Sequence, residues 1–236
     1  MKQLLSIFLL AGLAAVVPPD ITRAAEAPLK ARVFAEYPRL DPGHPQHSEL
    51  GDWDVVCMLR EYSYRHTCYS NNINSRSYRT GAAVVDELLG GKRSLVSVYE
   101  FFDKEGGGVV CGHTAHLLQR LYTAFGYQAW YLGHGFSPAT ARGSRFTHAQ
   151  VLVRIDVGQD GNRRSSLTLH DPSTNISYVD AKTKDPLDYY ELLDRLVHRR
   201  AATIATLGPI KDGRQRRHPV TICFSDETSG RNPDYL

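Results

Sequence analysis

The sequence has few of the features that would place it on nucleic acid. Its 28 Lys and Arg residues nearly balance 25 Asp and Glu residues, which leaves a formal net charge of +3. That balance is too mild to indicate a nucleic-acid partner, and the basic clusters are short, scattered and without interleaved aromatic residues. The chain also contains no internal repeat and no low-complexity tract. We therefore expect a globular domain with no nucleic-acid partner.

No apolar run is long enough to span a bilayer comfortably. The longest, residues 4–17, carries no charge and follows Lys2. Such a run is typical of a signal-peptide core, and Ala25-Glu26-Ala27 offers the small residues that a signal peptidase requires. The sequence predicts a signal peptide over residues 1–27, export to the periplasm or extracellular space, and no stable membrane insertion after cleavage. An uncleaved N-terminal anchor is the alternative.

The mature chain is long enough for one domain with a sizeable core. Residues 28–94 are predicted to form an N-terminal arm and a helical scaffold, with residues 28–52 irregular and residues 53–69 rich in loops. Short helices are predicted over residues 81–89 and 94–102. Residues 95–236 are predicted to form a catalytic core with a C-terminal tail and a helix over residues 186–198. The apolar face of that helix is predicted to carry Leu187, Tyr190, Leu193 and Val197.

Cysteine is scarce, and each of the four residues needs an explanation in an exported protein. Cys57 and Cys68 are close enough in sequence to close a small ring, and we predict a disulfide between them. Cys223 lies in a short apolar strand predicted over residues 220–224, where a free thiol behaves as a small hydrophobic group. A disulfide between Cys111 and Cys223 is the alternative, and it would block the Cys111 thiol.

Cys111 is the most informative residue, because it follows Gly106-Gly107-Gly108 and begins a helical pattern. Small or apolar residues recur after it at helical spacing: Ala115, Leu118, Tyr122 and Phe125. Cys111 is thereby placed in the first turn, on the buried face, where the helix dipole and unpaired N–H groups favour a thiolate. We expect the glycines to let another segment approach the sulfur closely. The alternative is a buried structural cysteine.

His148 and Asp171 fall on two predicted strands, residues 148–155 and 166–171, joined by a polar loop. A turn between Gln159 and Asp160 sets His148 opposite Asp171. A turn centred on Asp160-Gly161 shifts the pairing by two residues and leaves both side chains on one face. Cross-strand Cβ atoms lie about 4.5 to 5.5 Å apart, within reach of an imidazole–carboxylate hydrogen bond. We expect this face to pack on the Cys111 helix, because it also carries Leu152, Leu167 and Leu169.

These three side chains suit nucleophilic catalysis. An ordinary thiol, with a pKa of about 8.5, is only partly ionised at neutral pH, and a neighbouring imidazolium makes it a usable nucleophile. Asp171 is expected to hold the tautomer of His148 and to stabilise its charged form. The Cys111 N–H is a candidate oxyanion donor, with Tyr99 as a candidate for the second. We predict a Cys111–His148–Asp171 triad that needs no cofactor and no metal.

The pattern resembles the transglutaminase-like superfamily. The resemblance covers residues 95–180 and rests on Gly108-Val109-Val110-Cys111-Gly112, Gly126, Gly133, Thr147-His148-Ala149 and Asp171-Pro172. It implies an α+β fold with a papain-like core, in which the cysteine-bearing helix packs on a small antiparallel sheet bearing His and Asp. It also implies an exported bacterial cysteine hydrolase or acyltransferase that acts on peptide or amide bonds of a peptide or protein substrate.

Four other interpretations remain open. Cys111, His113 and His116 have a spacing that suits zinc with His134 or His170, although no HExxH pattern is present. A papain-like cell-wall peptidase of the NlpC/P60 type takes its third polar group from the strand after His. An arylamine acetyltransferase is disfavoured because acetyl-CoA is not expected outside the cytoplasm. The last is a non-catalytic exported binding or assembly module with an idle thiol.

Overall fold

The computed structural model describes residues 19–70, 72–136, 146–158, 163–198, 200–211 and 214–218. Helices and strands both occur in these ranges, which confirms the predicted α+β class. The helices are α1 (Pro19–Glu36), α2 (Asp52–Arg65), α3 (Arg76–Leu89), α4 (Leu95–Glu105), α5 (Cys111–Ala124) and α6 (Tyr189–Val197). The strands are β1 (Cys68–Tyr69), β2 (Gly108–Val109), β3 (Ala129–Phe136), β4 (Phe146–Val157), β5 (Arg164–Asp171), β6 (Ile176–Asp180), β7 (Ile204–Lys211) and β8 (Arg214–His218). None of the helices in these ranges combines the length and the apolar character that a membrane span requires.

Strands β3 to β8 form one antiparallel sheet in chain order, and successive side chains of each strand point to opposite faces. One face of β4 is buried in the main core with side chains of α1 to α5, through Ala149, Val151, Val153 and Ile155. On the other face, Leu152 and Leu169 pack in a second core with Leu192 of α6. The sheet therefore separates α1 to α5 from α6.

The central helix α2 occupies most of the segment that was predicted to be loops. Its start is capped where the Gly51 N–H donates to the Asp54 carboxylate at 3.1 Å. Residues 56–63 are buried except for Met58, and this buried set includes the charged residues Arg60 and Glu61. A helix buried on all sides shows no single apolar stripe, so the periodic signal of an amphipathic helix is missing from the sequence.

The predicted disulfide between Cys57 and Cys68 is wrong, because the two residues are not joined. Cys57 is buried within α2, whereas Cys68 is exposed in β1. The helix continues from Cys57 to Arg65 and carries the chain about 12 Å along its axis. A disulfide requires Cα atoms within about 7 Å of each other. The length of helix between the two residues therefore works against the bridge.

The N-terminal segment is more regular than expected. Residues 28–52 contain the last part of α1 and two 3-10 helices, Pro38–Leu40 and His47–Glu49. Leu29 and Val33 of α1 are buried in the main core. Both follow Ala27, so the predicted signal cleavage would leave them in the domain.

The two short helices predicted on either side of Gly90-Gly91 are confirmed as α3 and α4. Each begins at a serine whose hydroxyl accepts a hydrogen bond from the N–H three residues later, at 3.0 Å for Ser75 and 3.3 Å for Ser94. Gly106 ends α4 in the left-handed conformation, with φ of 65°. The scaffold before the thiol is therefore helical, as predicted.

The predicted C-terminal helix is confirmed as α6, but its predicted face is wrong. Tyr190 and Val197 are 68% and 71% exposed, whereas Leu192 is buried. The helix begins only after Asp188, whose carboxylate accepts from the Tyr190 N–H at 2.9 Å, so the buried Leu187 precedes it. β7 and β8 then extend the sheet into the predicted tail. The predicted strand over residues 220–224 and the chain end lie outside the described residues.

The glycines before Cys111 allow neighbouring backbone segments to pack closely, although the segments approach the glycines rather than the sulfur. β1 and β2 pair in parallel, with Cys68 opposite Gly108. A Cβ on Gly81 of α3 would lie 2.3 Å from the Gly108 carbonyl oxygen, and one on Gly108 would lie 2.6 Å from Ser70 Cβ. This packing fixes the backbone that leads into the Cys111 helix.

We expect Gly81→Ala to destabilise the protein although alanine is the better helix former. The added methyl group meets the Gly108 backbone, which has no side chain that can move aside, so the free energy of unfolding should fall by about 2 kcal/mol or more. Urea unfolding followed by circular dichroism measures the change. Gly43→Ala is the matched control, because its Cβ makes an ordinary 3.4 Å contact. An unfolding curve for Gly81→Ala that matches the wild type would contradict the packing argument.

Candidate functional site

Cys111 is the first residue of α5, as predicted, and its half-buried side chain is a free thiol. Val110 precedes it in extended conformation, so the chain enters the helix directly from the glycine segment. The predicted apolar stripe is confirmed, because Ala115, Leu118 and Tyr122 are fully buried. Packing of that stripe fixes the rotation of the helix about its axis. Cys223, its alternative disulfide partner, lies outside the described residues.

The pairing of β4 with β5 brings His148 and Asp171 together. Val151 pairs with His170 and Leu152 with Leu169, which is the register predicted for a turn centred on Asp160-Gly161. His148 and Asp171 therefore share a face, and His148 Nε2 lies 2.7 Å from Asp171 Oδ2. The turn residues themselves lie outside the described ranges. The prediction that the two side chains meet is confirmed.

The prediction that this face packs on the Cys111 helix is wrong. Helix α5 covers the opposite face of β4, and the face with Leu152 and Leu169 packs toward α6. Cys111 nevertheless reaches the triad because it meets β4 near the start of that strand, before the first β4–β5 pair at Val151. There the Ala149 N–H and the His148 side chain both contact the sulfur. The thiol therefore reaches His148 beyond the end of the β4–β5 pairing.

Asp171 is fully buried, and both of its carboxylate oxygens are occupied. Oδ1 accepts from the N–H groups of Ser173 at 2.8 Å and Thr174 at 3.3 Å. Oδ2 accepts from His148 at 2.7 Å and from Gln150 Nε2 at 3.4 Å. Because Asp171 takes Nε2 of His148, the nitrogen left for the Cys111 sulfur is Nδ1. The imidazole thus bridges the thiol and the carboxylate.

Burial opposes charge on all three groups, and their contacts reverse its effect. Burial disfavours the His148 cation, but the hydrogen bonds and negative charges of Asp171 and Cys111 raise its pKa to about 10. Burial favours the neutral Cys111 thiol, but His148 and the Ala149 N–H lower its pKa. Burial is likewise outweighed at Asp171, where His148 and the Ser173 N–H lower the pKa of the carboxyl group. The arrangement stabilises a thiolate, an imidazolium and a carboxylate together.

The turn after Asp171 is tied to the first turn of the Cys111 helix. Thr114 Oγ1 donates to the Cys111 carbonyl oxygen at 3.0 Å and lies 3.0 Å from Ser173 Oγ. Ser173 also donates its backbone N–H to Asp171. One short chain of contacts therefore fixes the nucleophile and the carboxylate relative to each other.

A fully buried arginine holds the far end of the same turn. Arg60 of α2 donates from Nε to Asn175 Oδ1 at 2.9 Å and from Nη2 to the Gly208 carbonyl at 3.1 Å. Asn175 has a positive φ of 56°, and its Nδ2 donates to the Glu61 carboxylate at 2.8 Å. These contacts stabilise a backbone conformation that is uncommon outside glycine. They fix the point at which the chain returns from Asp171 into the sheet.

His170 is a structural residue. Its Nε2 lies 3.0 Å from Thr168 Oγ1 and its Nδ1 lies 2.7 Å from Ser177 Oγ. Burial, and then the positive charge of Arg60, lower its pKa well below the ordinary value, so it remains neutral. The ring also packs against Trp53. His170 therefore faces the main core rather than the thiol.

The other histidines near Cys111 pack against aromatic rings. The His113 ring centroid lies 5.9 Å from that of Tyr78, and the His116 centroid lies 4.4 Å from that of Tyr131. Across the described part of the chain, no group of three or more His, Cys, Asp or Glu side chains is placed to hold a metal ion. The side chain of His134 lies outside the described residues.

Tyr99 is not an oxyanion donor. It is fully buried in α4, and its hydroxyl donates to Ser63 Oγ at 3.1 Å. The first helical hydrogen bonds of α5 are donated by His113 and Thr114 to the Val110 carbonyl. The Cys111 N–H precedes these bonds, so the helix itself does not use it. It remains the backbone candidate for the oxyanion.

Sequence reasoning missed Gln150, whose Nε2 donates to the Tyr178 hydroxyl at 2.9 Å as well as contacting Asp171. A signal for it was present in the sequence, because a turn centred on Asp160-Gly161, which matches the observed register, sets Gln150 opposite Asp171. It also missed Arg60, for which a buried non-amphipathic helix gives no signal. Tyr131, whose ring packs against His116 of the Cys111 helix, was missed because its strand, β3, was not predicted.

We expect Asp171→Asn to narrow the pH range in which Cys111 is reactive. Loss of the carboxylate lets burial lower the His148 pKa from about 10. The Cys111 pKa should then rise, because losing the His148 charge outweighs losing the weaker repulsion from Asp171. Each unit of that rise reduces the thiolate fraction at acidic pH about tenfold. The measurement is the iodoacetamide alkylation rate of Cys111 from pH 5 to 9. Asp185→Asn, an exposed Asp with the same change, is the control, and superimposable profiles for wild type and Asp171→Asn would refute the pairing.

Comparison with protein-family models, curated proteins and solved structures finds no match to this chain.

Proposed function

We propose that this protein is an exported, thiol-dependent acyl-transfer enzyme that acts on peptide or amide bonds, as a cysteine protease or amidase or as a transglutaminase. Its nucleophile is Cys111, its general acid and base is His148, and Asp171 orients the imidazole. We further propose that α5 with β4 and β5 is a transglutaminase-like, papain-like core. Export rests on the signal-peptide pattern of residues 1–27.

One observation supports this proposal above the rest. The His148 imidazole bonds to a buried carboxylate at 2.7 Å through Nε2, and it also contacts the Cys111 side chain, which raises its pKa. A lone structural cysteine has no need of a buried, charge-stabilised histidine. The cost of burying these charges is offset by their mutual contacts and by the N–H groups of Ala149, Ser173 and Thr174, which is typical of a site that requires a thiolate.

The chemistry follows from the charges. The Cys111 thiolate attacks the carbonyl carbon of the substrate, and the electron pair of the C=O bond moves onto oxygen. The imidazolium of His148 then gives its proton to the departing amine as the C–N bond breaks, which leaves an acyl-enzyme. His148, now neutral, takes a proton from the water or amine that attacks this acyl group, and the C–S bond breaks, which releases the product and restores the Cys111 thiolate and the His148 imidazolium. Hydrolysis and transfer share the same intermediate.

Two other interpretations are less well supported. In a cell-wall peptidase of the NlpC/P60 type, Asp171 would have no role, yet it accepts four hydrogen bonds and holds His148. A non-catalytic module with an idle thiol gives no reason for the lowered pKa of Cys111.

The proposal is tested first with the thiol. In a Cys68→Ser background, which removes the exposed Cys68 thiol, we expect iodoacetamide to alkylate Cys111 rapidly at neutral pH and to continue below pH 7. His148→Ala should lower the rate at pH 7 by about tenfold or more, because burial then raises the pKa of an isolated thiol. Peptide mapping by mass spectrometry assigns the label. A Cys111 that reacts only after reduction would sink the enzymatic interpretation.

The reaction type is tested next, with unfolded casein as a generic polypeptide and a fluorescent primary amine as acceptor. New N-termini indicate hydrolysis, and amine incorporated into casein indicates transfer. Either product should be lost in Cys111→Ala and His148→Ala and retained in Cys68→Ser. A product that persists in Cys111→Ala would show that the thiol is not the nucleophile.

A further inference from the structure

Tyr131, on strand β3 at the edge of the six-stranded sheet, reaches the first turn of the Cys111 helix. A Cβ on Gly112 would lie 3.6 Å from the Tyr131 hydroxyl, so this oxygen stands beside the residue that follows Cys111. The residue is 40% exposed. The hydroxyl is therefore a polar group beside the first turn of α5, on a residue that solvent reaches.

The Tyr131 ring is held in place by α5. It stacks on His116 with ring centroids 4.4 Å apart and an interplanar angle of 14°. Burial, above all, lowers the pKa of His116, so the stack joins two uncharged rings at neutral pH. His116 thus fixes the direction in which the tyrosine presents its hydroxyl.

The hydroxyl remains protonated when the site is charged. Burial, and then the negative charge of Cys111, raise the pKa of Tyr131 above its ordinary value of 10.0. The hydroxyl therefore lies close enough to Cys111 for the charge of the sulfur to affect it. A protonated phenol is a hydrogen-bond donor toward any negative oxygen that forms there.

We propose that the Tyr131 hydroxyl is the second donor to the oxyanion formed when Cys111 attacks a carbonyl, with the Cys111 N–H as the first and His116 as the positioning residue. The inference rests on the proposed function. Gly112 carries no side chain, so no Cβ occupies the position 3.6 Å from the phenol oxygen. As the C–S bond forms, the π electron pair moves to that oxygen, and two donors then face the developing charge.

The test separates attack on a carbonyl from attack that forms no oxyanion. p-Nitrophenyl acetate acylates a thiolate through a tetrahedral oxyanion and expels p-nitrophenolate, whereas iodoacetamide is attacked at its CH2 carbon and loses iodide. We expect Tyr131→Phe, which keeps the ring and the stack, to slow the burst of p-nitrophenolate by on the order of 10²-fold. The alkylation rate of Tyr131→Phe should stay within about twofold of that of wild type, because both proteins contain the same thiolate.

Tyr190→Phe is the matched control, since Tyr190 is an exposed tyrosine on α6 that undergoes the same change. An equal burst rate in Tyr131→Phe and wild type overturns the inference. An equal loss of acylation and alkylation in Tyr131→Phe also overturns it, because the tyrosine would then act on the reactivity of the thiolate. A wild-type enzyme that is alkylated at Cys111 but shows no burst would overturn the proposed function, and the inference with it.

The positioning role of His116 has its own readout. His116→Phe retains an aromatic ring for the stack and should keep most of the burst rate. His116→Ala removes the stack and should lose much of it, with alkylation unchanged in both variants. Equal burst rates in the two variants would show that the stack does not position Tyr131.

Discussion

The arrangement of the site depends on one buried negative charge, the carboxylate of Asp171. An ionised carboxylate away from water is stable only when its oxygens are hydrogen-bonded and a positive charge is near. Its donors come from separate parts of the fold: His148 and Gln150 on β4, and the backbone of Ser173 and Thr174 in the following turn. Satisfying this charge therefore fixes strand register, turn conformation and imidazole orientation at once.

A buried positive charge on the other side of the turn complements it. Arg60 has no exposed surface, and its guanidinium donates to the Asn175 and Ser177 side chains and to the Gly208 carbonyl. Its neighbour Glu61 reaches the same Asn175. Helix α2 thus supports the turn after Asp171 from inside the main core. A loop on the surface without such support would be free to move. Burial, and then the positive charge of Arg60, keep the neighbouring His170 neutral.

The parts of this arrangement that follow a simple period were predictable from the sequence. Alternation in a strand is exact, so both plausible turns put His148 and Asp171 on one face, and the helical stripe after Cys111 placed the thiol in the first turn. The side of the sheet covered by α5 was not predictable, because both faces of β4 are apolar. The face with Leu152 and Leu169 packs against α6 instead. Nor was α2, whose buried polar residues have partners such as Asn175 more than 100 residues away in the chain. Local pattern carries no information about contacts of that range.

The placement of Cys111 at the end of the sheet has a chemical consequence. The thiol is half-buried, so burial alone would keep it protonated and inert, as in a structural cysteine. The imidazole alone would likewise be neutral at its depth, and the carboxyl group would hold its proton. The His148 cation stabilises both negative groups, and both of them raise its pKa, so the ionisation of the three groups is linked. Reactivity at Cys111 is therefore a property of the junction between α5, β4 and the turn after β5, and any change that separates these elements should return all three groups toward their neutral forms.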